Sequence, residues 1–166
     1  MKKIHTKKII IVAIVAALLV VTYLFYSRPM TVSQLYPMLP LDECTKIHGY
    51  YYDGTGTAPA EFNIEKDSEE FQKLCSLFYE QDYRRSLRDI LPRGTRTHRA
   101  EPGDFQWEVY FYFEDVEFDN GSGASSIALE FHNWYGELDI HFNGDIYSCN
   151  IKGQESWAKE ILDIIR

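Results

Sequence analysis

IALEFHNWYGELDIHFNGDIYSCNI, residues 127–151, alternates apolar and polar side chains over three short runs. Ile127, Leu129 and Phe131 form the first apolar set, Leu138, Ile140 and Phe142 the second, and Tyr147, Cys149 and Ile151 the third. Successive side chains of a strand point to opposite faces, so a period of two reads as a strand with one face buried. Asn143-Gly144 between two such runs is a strong hairpin signal, because these residues accept the positive φ of a tight primed turn. The stretch is an antiparallel meander, and it needs a cover on its apolar face.

Upstream, Phe105, Trp107, Val109, Phe111 and Phe113 alternate with Gln106, Glu108, Tyr110 and Tyr112, which predicts another half-buried strand. The parity shifts at Val116 and Phe118, so a bulge near Glu114-Asp115 is expected to supply an extra residue. Asp119 to Gly123 turns the chain. Thr45 to Tyr52 and Ala60 to Ile64 read as two strands, with a hairpin expected around Asp53 to Gly56. Asp67 opens a helix that ends near Glu80, with Glu70 completing a capping-box-like pair. Phe71, Leu74, Cys75 and Phe78 fall on one face of that helix. Tyr83 to Leu91 fits either strand or helix, and Pro92 stops it. Pro92 to Gly103 reads as a loop. A last helix starts at Gly153 to Ser156, with Trp157, Ile161 and Ile164/Ile165 along one side. Strands, helix, meander, helix give an α+β two-layer domain, an antiparallel meander sheet covered by two helices.

The amino end has a different chemistry. Met1 to Lys8 carries four lysines and no acid, and Ile9 to Tyr26 carries no charge. Those 18 residues rise about 27 Å as a helix, close to the ~30 Å hydrocarbon core of a bilayer. Bulky Tyr23, Leu24, Phe25 and Tyr26 stand where a cleaved signal would have small residues. The expected organisation is a cytoplasmic basic tail (1–8), a transmembrane anchor (9–26), a juxtamembrane stalk (27–43) and an extracytoplasmic α+β domain (44–166). The basic flank resists translocation, which keeps the amino end inside.

Five of the 17 basic residues and none of the 25 acidic ones precede Met30, leaving 12 against 25 in residues 30–166, a net charge of −13. Such a surface excludes general nucleic-acid binding, which needs phosphate neutralisation. Cys44, Cys75 and Cys149 lack zinc-site spacing, and an odd number leaves at least one thiol free. Cys75 and Cys149 read as core residues, with a disulfide between them left open.

Four patterns invite a functional reading. If Trp134 pairs with Glu137 across the hairpin, His132 faces Asp139 and Glu130 faces His141 on the polar face. Two imidazoles and two carboxylates there fit a transition metal, although a solvated face of opposite-charge pairs is the simpler account. Asp115 to Gly121 loosely echoes a calcium loop, but Asn120 stands where glycine belongs and Ser126 where glutamate belongs. Arg84, Arg85, Arg88, Arg93, Arg96 and Arg99 cluster inside an acidic domain, and Arg93 and Arg96 are candidates for an anionic envelope ligand unless internal acids absorb them. Leu91-Pro92-Arg93-Gly94-Thr95 is not a wall-sorting signal, because its Gly and Thr are transposed. No nucleophile, metalloprotease or phosphate-loop motif is present, and no cofactor is implied.

The apolar anchor, FNIEKDSEEFQKLCSLF (62–78) and the 127–151 meander together resemble small membrane-anchored extracytoplasmic proteins of Gram-positive bacteria that carry a domain of unknown function. The resemblance implies an exported α+β module and transfers no catalytic residue. The expected role is a non-catalytic binding or interaction module. Tyr110, Tyr112, Trp134 and Tyr135 are its expected contact residues, and a protein or anionic envelope polymer its partner. The alternative is an anchored metal-dependent or two-carboxylate hydrolase acting on envelope material.

Overall fold

The computed structural model describes residues 2–52, 58–86, 106–117, 123–134 and 137–166. In chain order the elements are α1 (Lys2–Tyr26), β1 (Pro29–Met30), α2 (Val32–Leu35), a 3-10 turn (Leu41–Glu43), β2 (Lys46–Tyr52), β3 (Ala60–Glu65), α3 (Glu69–Tyr79), β4 (Tyr83–Arg85), β5 (Gln106–Glu117), β6 (Gly123–Trp134), β7 (Glu137–Phe142), β8 (Asp145–Asn150) and α4 (Gln154–Ile165). The strands form one sheet in the order β1-β4-β8-β7-β6-β5-β2-β3, and every neighbouring pair is antiparallel. The class is α+β, as the meander requires.

The period-two pattern places the core. Trp107, Val109, Phe111 and Phe113 of β5, Leu129 and Phe131 of β6, and Leu138, Ile140 and Phe142 of β7 are buried on one face. Helices α3 and α4 lie against that face. Phe78 of α3 is its hub, with ring centroids 4.5 Å from Phe131, 5.0 Å from Trp157, 5.1 Å from Phe111 and 5.7 Å from Trp107. Aromatic pairs at such separations contribute about 0.5–1.5 kcal/mol each beyond their burial. The two helices are tied by Trp157, whose indole N–H donates to the Leu77 carbonyl at 3.1 Å.

Turn chemistry sets the register. Asn143 and Gly144 have φ of 50° and 85°, the left-handed pair that a two-residue hairpin needs, and Phe142 pairs with Asp145 around them. The β6–β7 register is the one supposed from the sequence: Trp134 opposite Glu137, His132 opposite Asp139 and Glu130 opposite His141.

Three expectations change in detail. The residue capping α3 is Ser68, whose hydroxyl accepts from the Phe71 N–H at 3.1 Å, while Asp67 turns the chain with φ 75°. Both are good cap formers, and the left-handed backbone at Asp67 hands the cap to its neighbour. No residue is inserted near Glu114-Asp115. Glu114 pairs with Ser126 and Val116 with Ala124, so the register is unbroken across Asp115, which takes φ 53°. Residues 27–43 do not stand off as a stalk. Pro29–Met30 pairs with β4 at the sheet edge, and Val32, Tyr36 and Leu39 join the core, with Tyr36 and Phe142 rings 5.0 Å apart. Apolar side chains at that spacing bury more than a free stalk would. The ambiguous segment begins as strand at Tyr83–Arg85, and residues 87–105 lie outside the described residues.

Lys8–Tyr26 of α1 has a mean hydropathy of 2.8 and none of it is buried by the rest of the protein. It is long and apolar enough to cross a membrane. A helix that is apolar all round needs an apolar surrounding.

Candidate functional site

The open face of the sheet carries the alternate residues of the same strands. From β2 come Lys46, His48 and Tyr50, from β5 Glu108, Tyr110 and Tyr112, from β6 Glu130, His132 and Trp134, and from β7 Glu137, Asp139 and His141. Cross-strand pairing brings these side chains within reach of one another.

Their rings form a continuous row across four strands. His48 lies 5.0 Å from Tyr50 and 6.0 Å from Tyr110, Tyr50 lies 6.4 Å from Tyr110, and Tyr110 lies 5.9 Å from His132. His132 stacks on Trp134 at 6.4 Å and on His141 at 4.2 Å with 23° between the planes. Trp134 is 39 % exposed. Among the described residues the helices lie against the opposite face.

Carboxylates line the row. Tyr110 donates its hydroxyl to Glu108, His132 Nε2 lies 3.1 Å from Glu130 Oε2, and His48 Nδ1 lies 3.1 Å from Asn63 Oδ1 and 3.7 Å from Glu61. Partial burial pushes the Tyr110 hydroxyl up, and its bond to Glu108 pushes the same way. Tyr112 is raised by burial first and by Glu130 second. Both tyrosines therefore stay neutral donors at physiological pH. Next to Asp139 the face opens into a cleft of about 260 Å³, lined by Ser86, Glu137, Leu138, Asp139, Ser148, Cys149 and Asn150.

Of the residues singled out in the sequence, Tyr110, Tyr112 and Trp134 lie on this face. Glu130, His132 and His141 form a tight group whose ligand atoms all lie within 4.8 Å of one another. Asp139 occupies the fourth corner of the square, opposite His132, outside that group. Tyr135, Arg93 and Arg96 lie outside the described residues, as do Arg88, His98, Arg99 and most of the calcium-like loop. Arg85 is turned to the edge of the core, 4.6 Å over the Tyr147 ring and 5.2 Å over Tyr26. Sequence reasoning missed His48 and Tyr50. Their signal was the alternation of His48 and Tyr50 with Ile47 and Gly49, but only the β2–β5 pairing puts them beside Tyr110.

No protein-family model, no curated protein and no solved structure matches this chain.

Proposed function

We propose that this chain is a membrane-anchored, non-catalytic binding module that faces the outside of a bacterial cell, and that its open sheet face holds an uncharged, hydroxyl-rich glycan of the envelope. The row of rings from Tyr50 through Tyr110 and His132 to Trp134 carries this reading. A sugar ring offers an apolar C–H face and a rim of hydroxyls. Flat side chains match the first by dispersion contact, and carboxylates and amides match the second by accepting and donating hydrogen bonds. Glu108, Glu130, Asp139 and Asn150 supply the acceptors beside the rings and in the cleft. A polyanion suits this face poorly, because among the described residues Lys46 and Arg84 stand against seven carboxylates, Glu61, Glu65, Glu108, Glu114, Glu130, Glu137 and Asp139. An anionic partner would have to engage the arginines after Ser86.

The charge at the ends of α1 supports this orientation. Four lysines in its first two turns precede the apolar span, and positive flanks stay in the cytoplasm. The resemblance to anchored proteins of Gram-positive bacteria points the same way.

The test is retention of the full detergent-solubilised chain on insoluble neutral cell-wall polysaccharide. Binding should survive a rise from low to high salt, because no ion pair carries it. Tyr110→Ala and Trp134→Ala should each weaken it about tenfold, for a lost contact of ~1.4 kcal/mol. Retention that disappears in salt, or that ignores both substitutions, contradicts the proposal.

A further inference from the structure

We infer that Glu130, His132 and His141 form a binding site for a divalent transition metal, with zinc its best fit. Two imidazoles and one carboxylate are borderline donors that zinc accepts, at about 2.0–2.2 Å each. Ligands around a tetrahedral zinc then stand roughly 3.3–3.5 Å apart, by the same bond lengths. Here Glu130 Oε2 and His132 Nε2 are already 3.1 Å apart, and no ligand atom of the three is more than 4.8 Å from another. Small side-chain rotations close that gap without moving the strands.

The surroundings favour a cation over a plain solvated face. The site is half-buried, with side-chain exposures of 21 % at His132 and 35 % at Glu130. Tyr110 meets the His132 ring edge-on and Trp134 stacks along it, which holds the imidazole in place and reduces the entropy lost on ligation. His132 and His141 stack with ring centroids 4.2 Å apart and 23° between their planes, which keeps the two imidazoles side by side. Glu108, Glu137 and Asp139 on the same face add negative charge, and Asp139 stands opposite His132. The three donors come from two adjacent strands of an open face, so the solvent side keeps a coordination position for water or a ligand oxygen.

The inference does not rest on the glycan reading, since metal is counted without any glycan present. The full chain, purified in detergent and stripped with chelator, is dialysed against zinc and then against metal-free buffer. Wild type should retain a single equivalent. His132→Ala and His141→Ala should each lower zinc affinity at least tenfold, and Glu130→Gln should lower it too. His48→Ala is the control: it removes an equally sheltered imidazole of the same face, 14 % exposed, and should leave zinc uptake unchanged. Far-UV circular dichroism checks that each variant is folded. Cobalt substitution supplies an independent readout, because a tetrahedral nitrogen–oxygen site gives visible absorption that His132→Ala must abolish. No retained zinc in the wild type, or equal losses in His48→Ala and His132→Ala, overturns the inference. Zinc retained by a chain that ignores the polysaccharide sinks the glycan reading alone.

Discussion

Cys44 precedes β2 and Cys75 lies midway along α3, yet the two thiols are near enough to perturb each other, with the Cys44 sulfur 3.6 Å from the Lys46 carbonyl. The neighbouring Cys44 thiol, and burial after it, push Cys75 up, while Cys75 pulls Cys44 down. The sequence drew attention to Cys75 and Cys149. Cys149 instead sits in β8, its sulfur 3.5 Å from the Leu138 carbonyl. In an oxidising compartment the Cys44 and Cys75 thiols should give up two protons and two electrons to a thiol–disulfide exchange partner and close a disulfide, leaving Cys149 as the odd thiol. Maleimide counting on denatured chain exported from cells should find one thiol, and three would contradict this. Closing that loop should stabilise the fold by about 3–4 kcal/mol on the chain-entropy account, read as the difference between urea melts with and without reductant. Tyrosines give a second residue-scale prediction. Burial holds the Tyr36, Tyr79 and Tyr83 hydroxyls above the ordinary value of 10. Below 10 both folded and unfolded chains keep them protonated, and stability is intact. Above it only the unfolded chain ionises, so stability falls as pH rises, by up to ~1.4 kcal/mol per unit for each buried ring. Melting temperature should therefore drop between about pH 9 and pH 11, and a flat profile would count against the buried placement. Tyr83 donates to the Phe78 carbonyl at 2.7 Å, so Tyr83→Phe should cost about 1–3 kcal/mol for the orphaned acceptor while removing part of the alkaline slope.

At the scale of the elements, β2 is the tightest fit. A Cβ on Gly49 would stand 2.0 Å from the Glu108 carbonyl oxygen and 2.6 Å from the Phe62 ring. Gly49→Ala must push β5 or Phe62 aside, and a loss of about 1–3 kcal/mol or more in a denaturant melt is expected. Ser68→Ala should cost about 1 kcal/mol by uncapping α3, and Asp67→Ala should not reproduce that loss through the cap. These elements also show what was legible in the sequence. The β7–β8 hairpin could be read because Asn143-Gly144 marks its turn, and the β6–β7 register was reached by supposing that Trp134 pairs with Glu137, since the alternation of Leu129, Phe131, Leu138 and Ile140 fixes which face each residue takes but not its partner. A one-residue slip of β7 would have turned Leu138 and Ile140 outward. The partners of β1, β2 and β4 could not be read. Alternation says which face a residue takes, but nothing local says which strand lies beside it. For that reason Tyr110 and His132 were visible as site residues, and His48, Tyr50 and the Cys44–Cys75 pair were not. The cap was misplaced by one residue because Asp67 and Ser68 have the same chemistry, and only the backbone angle separates them.

For the whole molecule, the junction between α1 and the sheet is the governing feature. Only Ser27 and Arg28 separate α1 from β1, Tyr26 reaches the Ser86 carbonyl at 3.5 Å, and Arg85 is sandwiched between the Tyr26 and Tyr147 rings. The end of the apolar helix is thus fastened to one edge of the sheet, and the row of rings begins several strands away from it. A domain held this way is joined to the apolar helix by a fixed junction rather than a loose tether. The surplus of acid in residues 30–166 keeps it soluble and away from anionic surfaces. The most direct test is a Trp134→Cys variant treated on intact cells with a membrane-impermeant maleimide, with and without excess soluble neutral glycan. The comparison is wild type treated alike, in which Cys44 and Cys149 are buried and the partly buried Cys75 sets the background. The account predicts rapid labelling of intact cells that the glycan slows. Labelling that waits for cell lysis, or that never occurs on the purified folded chain, would contradict it.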